Sequence, residues 1–145
     1  MTTIYLIRHG QASFGAESYD KLSPNGELQA KLLGQYFNQI LKEEPYVVAG
    51  SMQRHQQTAN LALAECFPEA EIQTDSAWNE FNHQQVFAQY EPRFNEPHLL
   101  KQDVENEVNP RAYLAKIFEG AIERWTGGDY HHEYDESWPD FKSRV

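Results

Sequence analysis

Apolar residues along this chain come first as short continuous runs and later as helix-spaced stripes. Ile4, Tyr5, Leu6 and Ile7 form a β-branched and aromatic run of the kind that makes a strand buried on both faces. Tyr46 to Ala49 is a second such run. Residues 71–74 make a third, with Ile72 as its one strong apolar member. Between the first two, Ser23-Pro24 reads as a helix start, because serine caps orphan amides and proline suits the first helical position. Leu28, Leu32, Leu33, Tyr36, Ile40 and Leu41 then share one helical face, and Pro45 closes the segment. After the second run, Gly50-Ser51 leads into a helix beginning near Met52. Thr58, Ala59, Ala62, Leu63, Cys66 and Phe67 pack it inward as far as Pro68. Strand, helix, strand, helix, strand predicts α/β architecture built on parallel βαβ units.

The second half reads differently. Residues 82–108 are polar and irregular, with Pro92, Pro97 and scattered aromatics, and are expected to form a lid insertion. Asn109-Pro110 starts a helix whose buried face is Leu114, Ile117, Phe118, Ala121, Ile122 and Trp125, and Gly127-Gly128 ends it. A final helix opens at Ser137-Trp138-Pro139, and the chain stops at Val145 after about two turns. An α/β plan would follow with another buried strand, so the 145 residues read as a single domain that is incomplete at its C-terminus. The uncovered edge of its sheet invites pairing with another copy, a homo-oligomer.

Candidate chemistry collects where the runs end. In an open parallel sheet, ligands bind at the carboxyl ends of strands. That places Arg8 and His9 at a reactive position, with Gly10 permitting a sharp turn and close approach. Gly50-Ser51 followed by a helix would aim free backbone amides at an anion. Arg54, in that helix's first turn, opposes the helix dipole unless an anionic ligand compensates it. Glu80 lies between Trp78 and Phe81, where partial desolvation would raise its pKa toward general-acid use. The loop from Gln11 to Asp20 is small and polar, with Phe14 its lone aromatic.

Composition narrows the partners. Hydrophobic residues make up 40% and the formal net charge is −10, which fits a folded domain and argues against nucleic acid and anionic membranes. Any phosphate site must therefore be a local concentration of Arg and His. The single Cys66 cannot form an intrachain disulfide and reads as core. Asp129 to Asp135 contains His131 and His132, but it lacks the spaced ligand pairs of a metal site, and no metal is expected. The N-terminal apolar run is too short for a signal segment or a span, leaving a cytoplasmic location as the default.

Arg8-His9-Gly10, then Leu22-Ser23-Pro24-Asn25-Gly26 with Gln29-Ala30, then Ser51-Met52-Gln53-Arg54 with Gln57-Thr58-Ala59, resembles the histidine phosphatase superfamily, the phosphoglycerate mutase-like proteins. The resemblance is ordered from Met1 to about Glu80 and looser beyond. It implies a three-layer α/β/α fold with a mainly parallel sheet, of which the C-terminal strands are missing here. It also implies a phosphomonoester hydrolase, rather than a mutase, acting on a small phosphorylated substrate without cofactors. His9 would become a phosphohistidine, Arg8 and Arg54 would hold phosphate oxygens, and Glu80, or less well Asp75, would donate a proton. The family's second active-site histidine has no counterpart motif in this sequence. The alternative reading is a catalytically impaired, phosphate-binding or oligomerising remnant.

Overall fold

The computed structural model describes residues 2–13 and 20–145, and these divide into two compact units, Met1–Asn79 and Glu80–Val145. Most of the expected loop at Gln11–Asp20, Phe14 included, lies outside the described residues. No helix among the described residues is long and apolar enough to cross a membrane.

The first unit is mixed α/β. Helix α1 spans Pro24–Ile40, strand β1 Val47–Ala49, helix α2 Gln53–Ala64 and strand β2 Ile72–Thr74. The strands pair in parallel, Val47 with Ile72 and Ala49 with Thr74, and α2 is the crossover between them. This is the expected α/β class in reduced form, with a two-stranded sheet and no further paired strand among the described residues.

Three sequence expectations fail here for packing reasons. Residues 4–7 are not a buried strand, because no described strand pairs with them and Ile4 and Leu6 are each 80% exposed. One face of the run still finds cover, since the Tyr5 ring meets Phe37 of α1 edge-on at 5.2 Å. The second concerns α1 itself. Its buried residues are Gly26, Ala30, Gly34 and Phe37, while Leu28, Leu32 and Tyr36 remain about half exposed. Small side chains win because α1 lies almost backbone-to-backbone on α2: a Cβ on Gly34 would stand 2.1 Å from the Ala62 carbonyl oxygen. Helices approach this closely only through residues with little or no side chain. Cys66 is half-buried rather than core. Its Sγ donates to the Ala62 carbonyl at 3.3 Å, and burial pushes the thiol pKa up.

The second unit is helical: α3 His83–Tyr90, α4 Pro97–Asn106, α5 Pro110–Thr126 and α6 Trp138–Arg144. Residues 82–108 are thus largely helical, not irregular. Asn82 caps α3 by accepting from the Gln85 amide, and Pro92 and Pro97 each open a helical segment instead of breaking one. Val86, Ala121, Trp125 and Tyr134 form the core, with the Phe81 ring stacked on Trp125 at 4.7 Å and Phe141 packed alongside. Trp125 is 2% exposed, and its indole N–H is satisfied by the Glu136 carbonyl at 3.0 Å. On α5, Ile117, Ala121 and Trp125 are buried, whereas Phe118 is half exposed. The 131–133 turn is held by an ion pair between Glu133 and Arg124 of α5, whose guanidinium also lies 3.9 Å over the Tyr130 ring.

Helix α6 begins with a reciprocal cap: Ser137 accepts from the Asp140 amide and the Asp140 carboxylate accepts from the Ser137 amide and hydroxyl. The Ser137 hydroxyl and amide hold the Asp140 carboxyl below its ordinary value of 3.8. A depressed folded pKa gives stability that is present above the unfolded value and is lost as pH falls through the folded one. Asp140→Asn is therefore expected to lower the melting temperature at pH 6. The gap to the unmodified protein should close as pH is lowered below 3.8, which thermal melts followed by circular dichroism will read.

Candidate active site

The first unit builds a rigid seat for His9. Gly10 and Gly26 meet backbone to backbone: a Cβ on Gly10 would stand 2.4 Å from the Gly26 oxygen, and one on Gly26 would stand 2.2 Å from the Gln11 oxygen. Both positions require glycine because the chain after His9 lies flat on the first turn of α1. Side chains of that turn then fix it. The Gln11 amide donates to Gln29 Oε1 at 2.9 Å, and Gln11 Oε1 accepts from Asn25 Nδ2 at 2.9 Å and from the Ser23 hydroxyl at 3.2 Å. From the other side, the buried Gly10 amide donates to Thr58 Oγ1 at 3.0 Å, and the Thr58 hydroxyl donates to the Arg54 carbonyl at 2.7 Å. Gln57 Oε1 takes the Leu22 amide at 2.9 Å. Most of the spaced motif residues therefore act as scaffolding for residues 8–11.

His9 is half-buried, and its Nδ1 lies 2.6 Å from the Gly10 carbonyl oxygen. A carbonyl can only accept, so Nδ1 carries a proton, and in the neutral imidazole the lone pair is then on Nε2. His9 faces a cavity of about 370 Å³ that Arg8, Gly10 and Thr58 also line. Arg8 is exposed.

Arg54 is buried, with 3% of its surface exposed. Its Nη1 lies 2.6 Å from Asp20 Oδ1, and Asp20 also accepts from the Gln53 amide at 2.8 Å and, more weakly, from the Arg54 amide at 3.5 Å. The Met52 amide points at Asn79 Oδ1 at 3.4 Å. The expectation of free amides at the start of α2 is therefore corrected. Met52 offers no side-chain cap, and the Asp20 carboxylate fills the anion position instead, matching both the helix dipole and the arginine.

His55, next to Arg54, brings a second imidazole to His9. The ring centroids are 5.6 Å apart with planes at 35°, and a ring nitrogen of each lies within 4.8 Å of the other. Gly50 makes room for it, since a Cβ there would stand 2.3 Å from His55 Nδ1 and 2.6 Å from Asn79 Oδ1. Asn79 also donates to the Ser51 hydroxyl at 2.8 Å, tying the segment after β2 to the β1–α2 turn. Glu80 follows Asn79 directly and is exposed, not desolvated between Trp78 and Phe81. Asp75 is engaged in capping: its Oδ1 accepts from the Ala77 amide at 2.9 Å, opening the 76–78 turn. Asp20, His55 and Asn79 escaped the sequence reading. Only His55 carried a signal there, as a titratable residue beside the candidate arginine.

A family model described as "Histidine phosphatase superfamily (branch 1)" matches residues 4–145. No curated protein and no solved structure matches the chain.

The link from Thr58 to Gly10 can be tested on its own. Thr58→Val keeps the shape but leaves the buried Gly10 amide without its acceptor, a loss of about 1–3 kcal/mol. Urea unfolding should show a lower midpoint for Thr58→Val and a nearly unchanged one for Thr58→Ser.

Proposed function

The chain belongs to the histidine phosphatase superfamily, and on that footing we propose that it is a phosphomonoester hydrolase working through a phosphohistidine on His9. The observation that carries this reading is the His9 tautomer: Nδ1–H is committed to the Gly10 carbonyl, so the Nε2 lone pair is the nucleophile. In the proposed reaction, Nε2 attacks phosphorus and the ester P–O bond breaks. The leaving alkoxide takes a proton from Glu80. Water then attacks the phosphohistidine, giving its proton to the Glu80 carboxylate and releasing inorganic phosphate. The engagement of Asp75 in its turn favours Glu80 as the donor.

Arg8 and Arg54 would hold the non-bridging oxygens and offset the charge that phosphoryl transfer spreads over them. Arg54 would do so by exchanging part of its contact with Asp20 for phosphate. Residues 82–108 are proposed as the lid, supported by their polar composition and their place directly after Glu80. The substrate is a small phosphate ester such as a sugar phosphate or phosphoamino acid, encountered in the cytoplasm.

The test is phosphate release from p-nitrophenyl phosphate between pH 5 and 8. His9→Ala is expected to bring turnover to background, and rapid acid-free quenching of the unmodified protein should trap an acid-labile, alkali-stable phosphoryl label. Equal release from both proteins sinks the hydrolase reading.

A second reading, a phosphate-binding chain that works as an oligomer, draws support from the 80% exposure of Ile4 and Leu6 and from a sheet with only two strands among the described residues. If it holds, sedimentation at micromolar concentration will give a mass of at least twice 16.9 kDa, and Leu6→Lys will return the protein to monomer.

A further inference from the structure

We propose that His55 is a second catalytic imidazole, which donates a hydrogen bond to the phosphoryl group as it transfers to His9. The inference rests on the phosphohistidine reading above and adds to it a residue that the ordered motifs leave without a role.

Geometry is the first argument. The two rings lie 5.6 Å apart between centroids and tilt by 35°, with ring nitrogens within 4.8 Å. A nucleophile needs to stand about 3–3.5 Å from the reacting atom. An oxyanion donor acts at about 2.7–3.1 Å from its oxygen. One phosphoryl group held against His9 Nε2 can therefore reach both imidazoles. The second argument is rigidity. His55 sits in the first turn of α2, and the same helix supplies Thr58, which holds the Gly10 amide beside His9. Nucleophile and donor are thus carried on one braced piece of structure, with only a single helical turn between the brace and His55.

The third argument is that space has been made for this ring. At Gly50 any Cβ would come within 2.3 Å of His55 Nδ1, so the exit of β1 is stripped of a side chain where the imidazole lies. Chemistry supplies the fourth. Phosphoryl transfer spreads charge over three equatorial oxygens, and of the two cations near His9, Arg54 already shares its guanidinium with Asp20. Another N–H donor, at His55, would add to what Arg8 and Arg54 offer that charge.

The experiment uses the full chain and p-nitrophenyl phosphate, with orthovanadate as a mimic of the transferring group. His55→Ala should lower kcat about 100- to 1000-fold, with KM changed no more than a few-fold, and should weaken vanadate inhibition by a similar factor. His55→Gln, which keeps an N–H donor, should recover part of both. Urea midpoints identify any variant that has not folded, and His55→Gln then carries the test. Unchanged kcat in His55→Ala, while His9→Ala is dead, overturns the role of His55 and leaves the phosphohistidine reading standing. A fall in kcat with vanadate affinity intact also overturns it, because the ring would then act only on the fold. Release by the unmodified protein no greater than by His9→Ala removes the phosphohistidine reading and this role together.

Discussion

The hydrogen bond from the Gly10 amide to Thr58 Oγ1 is the contact on which the first unit's arrangement turns. Residues 2–11 lie outside any hydrogen-bonded ladder, so nothing of the sheet positions His9. Its place is set by two helices instead. Helix α1 presents the bare backbone of Gly26, and α2 presents a threonine whose own hydroxyl proton is committed to the Arg54 carbonyl. That commitment leaves the Thr58 oxygen as acceptor for Gly10, and it fixes the direction of the whole chain of bonds from α2 to the residue after His9. The same demand for close approach explains why α1 buries Gly26, Ala30 and Gly34: larger residues at these positions would lift it from α2 and loosen the seat.

The second unit is organised on different chemistry. Aromatic rings carry its core, and the Trp125 indole N–H buried among them is matched by the Glu136 carbonyl. Its helices are announced by capping residues, Asn82, Asn109 and Ser137, at three of the four starts. A unit that depends on broad apolar faces and short-range caps tolerates polar surface elsewhere, which is why residues 82–108 could read as irregular while folding largely into helices.

What the sequence made legible was local. Ser23-Pro24, Asn109-Pro110 and Ser137 capped helices where expected, and the runs at 47–49 and 72–74 became the two strands, because caps and short β-branched runs act on their own neighbours. The leucine stripe of α1 misled because periodicity counts large apolar residues, whereas this interface selects for their absence. The first run misled because burial on both faces depends on partner strands that the run itself does not specify. At the site, Arg8, His9 and Arg54 stood out by residue type and spacing. Asp20 did not, because its role depends on contact with the start of α2, 33 positions away, which no local pattern encodes. His55 was hidden in plain view: a histidine beside an arginine has meaning only once Gly50 opposite it has no side chain.

Asp20 also changes what it means for an anion to reach Arg54. The corner is not a vacant positive pocket but one already held by a carboxylate of the same chain, a competitor whose effective concentration is set by the fold and not by the solution. Entry there is an exchange, and an exchange rewards the difference between two ligands instead of the attraction of either. A singly charged acid gains little by replacing another carboxylate, whereas a doubly charged group with three oxygens gains a further charge and further acceptors. On the proposed reading of Arg54, the chain's own anion thus sets the threshold that an incoming one must exceed.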